Sequence, residues 1–441
     1  MNKLVFFLLL LYGTGARAQR VYTLQECISY TLQNNPSITL QENNIGIAKA
    51  KSRQALSGYL PQVTGSATTL NNLKLQTSVL PAGLLGPEPR EISLGAKYNT
   101  NAMVDISQAI YDPAKIAAIK ANKPYNEMTR LQQEQNKELL IYNTGTAYFQ
   151  VLIYREQLQI LNANRLKYEE MIKILRHQYE KGTVLEKDVD RVQVSLNTTT
   201  YQIKDAETKE LLAINTLKNA MGMPLEGSLA IGPSINYESF ATGVVQQTLV
   251  PEDITDVKIG QQSVILQRFN LKAKQASYQP SLSAVGRLGQ QVQAGKLSSA
   301  FSDWNGYSYV GLSLNVPLFS GFKRRAEVSE EKLKLRNEEL NLELNKRKLK
   351  LHFENAKTSV GTAYSSYLSN RDNLELARKL LAVTDYQYQR GTAGLTDYLN
   401  DDAAYKEAQS NYINSLYNLM ISQLDYQKSK GSLSGFLNLI H

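Results

Sequence analysis

Tyr179-Glu180-Lys181-Gly182-Thr183, with Asp188 just beyond, and Tyr388-Gln389-Arg390-Gly391-Thr392, with Asp397 just beyond, are one turn written twice. They stand 209 positions apart (391 minus 182). Each breaks a long heptad-patterned stretch and opens another. Upstream, Tyr59-Leu60-Pro61-Gln62-Val63 and Tyr278-Gln279-Pro280-Ser281-Leu282 each start an alternating segment. The aromatic residues that close the alternation, Tyr111 and Phe319, are 208 apart (319 minus 111). The chain therefore reads as a duplicated unit of strands plus helical hairpin. The repeats are placed at 19–221 and 257–441, joined by a Gly- and Pro-containing linker over 222–256.

Working outward from the turns, the flanking stretches predict very long helices. From Ala114 to Glu180 the one proline is Pro124, and from Phe322 to Gln389 there is none. Each stretch could extend roughly 100 Å at about 1.5 Å per residue, against a usual helix of about 11–12 residues. Ala147, Tyr154, Leu161, Tyr168 and Leu175 recur every seven residues, as do Val360, Tyr367, Leu374, Leu381 and Tyr388. That is coiled-coil spacing. The return helices repeat the pattern through Val189, Val192, Leu196, Thr199, Ile203 and Ala206, and through Tyr398, Tyr405, Tyr412, Leu419 and Tyr426.

The alternating segments predict four strands, two per half. In the clearest, Ser308, Val310, Leu312, Leu314, Val316 and Leu318 share one face and Tyr309, Gly311, Ser313 and Asn315 the other. Tyr307, Tyr309 and Phe319 stand toward its ends, as an aromatic girdle would. A half-buried strand of a soluble sheet alternates in the same way. Four segments of about 10–15 residues, however, have the length a tilted membrane strand needs. Residues 73–95, with Pro81, Pro87 and Pro89, read as a long irregular loop. The first helix, about Thr23 to Ser57, opens on a Thr23/Glu26 capping box and is interrupted at Asn34-Asn35-Pro36.

Lys3, the apolar run Leu4 to Tyr12 and Ala16-Arg17-Ala18 form a secretory signal over residues 1–18, too short to span a bilayer. Past it, no run approaches spanning length, so membrane insertion would require a closed barrel. Cys27 is the only cysteine. It lies well past the cleavage site and reads as a semi-buried thiol, not a lipid anchor. Net charge is +9, or +7 without Lys3 and Arg17. The basic residues are spread out, apart from Lys323-Arg324-Arg325 and Lys346-Arg347-Lys348, and do not make a nucleic-acid surface.

No catalytic constellation, cofactor motif or metal-ligand spacing is present: His177, His352 and His441 are isolated. Asp188 and Asp190, and Asp397, Asp401 and Asp402, could be mistaken for acid/base pairs. Their ordinary role at a helix start is to complement the dipole.

The signal peptide, two strand pairs, two long hairpins and paired Tyr-x-x-Gly turns together resemble the TolC family of bacterial outer-membrane efflux proteins. The most specific pieces are Tyr22-Thr23-Leu24-Gln25-Glu26-Cys27 with Asn34-Asn35-Pro36, Tyr59-Leu60-Pro61, Val316-Pro317-Leu318-Phe319-Ser320-Gly321, and Gly391 with Asp397-Tyr398-Leu399. The resemblance implies a mixed α/β membrane protein. A trimeric twelve-stranded β-barrel, four strands per chain, would continue into a periplasmic coiled-coil helical barrel. The homotrimer is what the resemblance implies; strand closure points the same way in that four strands cannot close a barrel, about eight being the practical minimum. The resemblance further implies a passive exit duct opened by a periplasmic adaptor and an inner-membrane pump. Gly182, Thr183, Gly391 and Thr392 would then meet the adaptor, Asp397, Asp188 and, as an alternative, Asp401 would line an aperture, and Val310, Leu312, Leu314 and Val316 would face lipid. The family's tip commonly carries a second acid where this chain has Asn400, which puts a double acidic ring in doubt. A periplasmic coiled-coil adaptor or a filament protein without a pore is the rival expectation. It would have no use for four membrane-length strands.

Overall fold

The computed structural model describes residues 21–80, 82–83, 87–232, 249–433 and 435. The expected signal peptide and residues 233–248 of the expected linker lie outside these described residues. Val21–Tyr22 form a short strand, β1, and helices α1 (Leu24–Asn34) and α2 (Pro36–Ser57) follow. Strands β2 (Gln62–Asn71), β3 (Gln76–Leu80), β4 (Arg90–Leu94) and β5 (Tyr98–Tyr111) lead into α3 (Pro113–Glu180) and α4 (Glu186–Met221). Then come β6 (Ala230–Ile231), α5 (Thr255–Ala276), β7 (Ser281–Ala294), β8 (Asn305–Asn315), α6 (Lys323–Gln389) and α7 (Leu395–Ser429).

The α1 capping box forms as expected: Thr23 N donates to Glu26 Oε2 at 2.9 Å, and Glu26 N donates to Thr23 Oγ1 at 3.3 Å. The break at Pro36 has a structural use. Asn35 donates its side-chain amide to the Ala220 carbonyl at 2.8 Å, near the end of α4, and accepts from Ser37 N at 2.9 Å, at the start of α2. Gly222 ends α4 with φ 72°, and a Cβ there would stand 2.8 Å from Asn35 Cα. One asparagine thus serves two helix ends, across a crossing close enough to require glycine.

The chain divides into two compact units, each drawing on both halves of the sequence. One comprises residues 44–129 and 260–342 and holds a four-stranded antiparallel sheet ordered β2-β5-β7-β8. Register follows the side-chain alternation. Val63, Ile106, Gly286 and Val310 stand in one cross-strand row; Thr64, Asp105, Arg287 and Tyr309 stand in the next, on the opposite face. In that polar row Arg287 Nε donates to Asp105 Oδ1 at 2.6 Å. In this unit α5 is tied to α6 by Lys274–Glu327, Arg268–Glu339 and Ser263–Glu338.

The segment read as an irregular loop over 73–95 contains a hairpin, β3 with β4, in register from Gln76↔Leu94 to Leu80↔Arg90. Five-residue strands between prolines give too short an alternation to stand out in composition. β8 also ends at Asn315, so Val316 lies one residue past the strand assigned to it.

The other unit comprises the described residues of 21–43, 130–259 and 343–435. Its largest apolar cluster joins α1, α3, α4, α6 and α7 through residues including Cys27, Phe149, Val151, Leu217, Phe353, Val360 and Leu416. Most of the predicted heptad positions face inward: Ala147, Leu161, Tyr168, Leu175, Val360, Tyr367 and Leu381 are buried, while Leu374 is half-buried outside the apolar clusters. The partly exposed Tyr154, Leu158, Val189, Leu196 and Tyr388 pack against the buried clusters. The described start of the linker is pinned here, since β1 pairs in parallel with β6 and Arg155 donates to the Ile231 carbonyl at 2.8 Å.

Gly222→Ala is expected to cost about 1–3 kcal/mol from backbone strain alone, before the contact with Asn35 is counted. Asn35→Ala, which orphans an α4 carbonyl, should cost about 1–3 kcal/mol. Thermal unfolding followed by helical circular dichroism measures both; an unchanged Tm for Gly222→Ala would show that the crossing is slack.

Candidate functional site: two hairpin turns and an outward strand face

The two turns noted in the sequence have the same backbone geometry. After α3, Gly182 has φ 71°; its N–H donates to the Tyr179 carbonyl at 2.8 Å and Thr183 N donates to the Gln178 carbonyl at 2.9 Å. After α6, Gly391 has φ 73°, donates to the Tyr388 carbonyl at 2.9 Å, and is followed by Thr392 N donating to the Gln387 carbonyl at 2.9 Å. Each is a Schellman cap, which satisfies the last helical carbonyls only when the residue at C′ can take the left-handed conformation. The hydroxyls of Thr183 and Thr392 donate to the same Gln178 and Gln387 carbonyls. All four residues expected at the adaptor-facing tips are thus parts of one repeated cap.

The turns are held together. Val184, Val192, Leu175, Leu381, Leu395 and Tyr398 belong to one apolar cluster. Arg191 of α4 lies 3.6 Å from Asp188 Oδ1 and donates to Thr396 Oγ1 of α7 at 3.3 Å. The structure therefore brings Asp188 and the start of α7 to the same place.

The acids at the start of α7 separate into three environments. Asp397 is exposed and accepts from Gly394 N at 3.1 Å, capping the helix start. Asp401 accepts a short hydrogen bond from Thr384 of α6. Asp402 is buried and takes a short hydrogen bond from Tyr168 of α3, with Lys167 at 3.6 Å and Lys406 at 3.8 Å. The two lysines also stand over the Tyr398 and Tyr168 rings at 5.0 and 4.9 Å.

Asp402 continues a polar seam between α3 and α7. Along it, Asn164 donates to Gln409 Oε1 at 3.0 Å and Tyr142 donates to Asp425 Oδ1 at 2.6 Å. Sequence reasoning treated Asp402 as one helix-start acid among several; the available signal was Lys406 four residues on, at ion-pair spacing on the helix. Burial, followed by the charge of Asp402, raises the Tyr168 and Tyr398 hydroxyls. Burial, and then the hydrogen bond to Asp425, pushes Tyr142 up from 10.0 to about 12.

On the sheet, Val310, Leu312 and Leu314 lie on one side of β8 and are 91%, 70% and 64% exposed. The same face carries Val63, Val104, Ile106 and Leu288, all exposed, so an apolar surface runs across four strands.

The sequence model of the outer membrane efflux protein family matches this chain in two stretches, residues 27–223 and 256–431. The chain belongs to that family. It is 22% identical over 354 residues to the outer membrane protein TolC of Escherichia coli, covering 76% of this chain and 70% of that protein. It is 21% identical over 452 residues to TolC of Vibrio cholerae, covering 98% and 96%. The crystal structure of CusC shares the fold, with a TM-score of 0.77 at 16% identity over 93% of this chain and 92% of that one. This is a family of outer-membrane efflux channels rather than enzymes, and the outer membrane is the chain's location.

Two measurements test the α3–α7 seam. Tyr142 has its hydroxyl raised in the fold, so its contribution is complete below pH 10 and is lost as pH climbs through about 12. Stability should fall across that interval, and Tyr142→Phe should make the fall shallower in an alkaline melt series. Tyr168→Phe should cost about 1.5–3 kcal/mol, as loss of a hydrogen bond to a charged group does. Asp402→Ala, which strands two lysines, should cost more. Equal, negligible losses from both would mean that the seam carries no stability.

Proposed function

We propose that three copies of this chain form the exit duct of an efflux or secretion system in the outer membrane. The observation that carries the reading is the apolar face spanning β2, β5, β7 and β8, on a sheet whose two outer strands have free edges among the described residues. A sheet with open edges cannot sit in lipid, where each unpaired backbone group costs several kcal/mol. The strands alternate in direction, so β8 of one protomer would meet β2 of the next antiparallel. Three sheets of four then close twelve strands without an edge. The polar row through Thr64, Asp105, Arg287 and Tyr309 would face the lumen.

The duplicated unit, with repeats over 19–221 and 257–441, is supported by the twin Schellman caps and by the two stretches of family match. Together, the helices would form a coiled-coil tunnel extending into the periplasm. Its turns at Gly182, Thr183, Gly391 and Thr392 would receive a periplasmic adaptor working with an inner-membrane pump, which supplies the energy. Asp397, brought to the threefold axis with its carboxylate exposed, would form the aperture ring, with Asp188 held beside the same turns by Arg191. Asp401, bound to Thr384, is the less available acid. The rival reading, a periplasmic adaptor or filament without a pore, leaves the apolar sheet face without a purpose.

Light scattering of the mature protein in mild detergent should give a trimer, and a monomer would overturn the barrel. Val310→Arg, at the middle of β8, should destabilise the folded protein by about 2–4 kcal/mol, and Leu314→Arg, next to the end of the strand, by about 0–1 kcal/mol.

Asp397→Asn, recorded as single channels in planar bilayers, should weaken cation preference and block by multivalent cations while the trimer persists, as loss of an acidic ring does. If those properties move with Asp401→Asn instead, the ring lies at Asp401. If neither substitution matters, there is no acidic gate.

A further inference from the structure

β8 ends at Asn315, and the next seven residues carry four large apolar side chains into the open, beginning with Val316. Leu318, Phe319 and Phe322 are 92%, 77% and 68% exposed, and the two phenylalanine rings meet edge to face at 5.6 Å. Phe322 holds φ 64°, which an aromatic residue seldom adopts. The neighbouring strand ends at this edge of the sheet add exposed Leu60, Ile110, Tyr111 and Tyr278.

Lys323, Arg324 and Arg325 follow at once, as the first residues of α6. No acid lies in that turn, and the helix dipole itself opposes cations there. Among the described residues Lys323 reaches only Glu327, at 4.0 Å, and Glu327 has a closer partner in Lys274 at 3.3 Å. Among the described residues, Arg324 and Arg325 have no ion-pair partner. The chain's other basic triplet is different: Lys346 pairs with Glu252 at 2.9 Å and Arg347 with Glu343 at 2.6 Å.

Height in the bilayer selects the missing partner. The eleven residues of β8, at about 3.3 Å each and tilted by about 45°, cross about 25 Å, the height of an apolar membrane band. If Asn305 stands at the outer boundary, residues 318–325 stand at the periplasmic headgroups. There aromatic side chains settle and cations meet lipid phosphate.

We propose that Leu318, Phe319 and Phe322 seat in the acyl–headgroup boundary of the periplasmic leaflet and that Lys323, Arg324 and Arg325 bind anionic phospholipid headgroups beside them. The surface continues the apolar face of β8, and its charge is complementary to such a leaflet. This inference rests on the outer-membrane barrel proposed above. Each cation held at an anionic surface favours it roughly fivefold.

The test uses the full mature protein in nanodiscs that mix zwitterionic and anionic phospholipid. After detergent release, native mass spectrometry counts the lipids retained by the trimer. The wild type should retain anionic lipid preferentially. A variant carrying Lys323→Gln, Arg324→Gln and Arg325→Gln should lose that preference by at least about tenfold. Lys323→Arg with Arg324→Lys and Arg325→Lys should keep it, as should glutamines at the paired Lys346 and Arg347. Equal retention by the wild type and the first variant overturns the proposal, as does equal loss when the paired Lys346 and Arg347 are neutralised. Displacement of the preference by inorganic phosphate alone would show a free-anion site and overturns it too. Failure of the wild type to enter any bilayer would instead overturn the barrel reading, and the lipid surface with it.

Discussion

Backbone hydrogen bonding at the two ends of the β2-β5-β7-β8 sheet is the constraint on which the rest of the architecture depends. Among the described residues, β5 and β7 have antiparallel neighbours on both sides, with one register shift between Ala109 and Tyr111, while β2 and β8 have a neighbour on one side only. In water, such edges are an aggregation hazard; in hydrocarbon they are untenable. In the barrel proposed above, the apolar face would make the sheet a membrane element and the open edges would make it a fraction of one, so that assembly would be part of folding.

The helical unit meets a different demand. Very long helices packed by apolar heptads alone can slide by a heptad with little loss, because the stripe repeats. Here polar pairs break the repeat: Tyr142 with Asp425, Asn164 with Gln409, and Tyr168 with Asp402. In each of these pairs the donor has its acceptor on the facing helix, and a slip would leave all three unsatisfied. Apolar packing holds α3 against α7, and the polar seam sets their alignment.

How much of this could be seen in the residues varied with the range of the physics involved. The Schellman turns at Gly182 and Gly391 were legible because left-handed backbone selects glycine locally and the flanking tyrosines repeat. The heptad faces and the β8 alternation were legible for the same reason, being periodic. The β3–β4 hairpin was hidden, since five-residue strands among prolines look like loop. The partnership of Asn35 with the end of α4 spans 185 positions, and no local pattern announces a contact of that range. The three aspartates at the start of α7 look alike in sequence. Asp397 faces solvent, Asp401 faces α6 and Asp402 faces α3, because successive positions on a helix point in different directions.

Cys27 has a bearing on how this molecule can be handled. The thiol is completely buried, and burial pushes its pKa to about 12, so at neutral pH only about one molecule in 100,000 carries the reactive thiolate. It has no second cysteine to pair with. The natural chain should therefore behave toward maleimides and mild oxidants as though it were cysteine-free. Cysteines introduced in pairs on β2 and β8, or at the two hairpin turns, would be the only thiols to respond. Spin labels, fluorophores and cross-links could then be placed without first altering the native sequence.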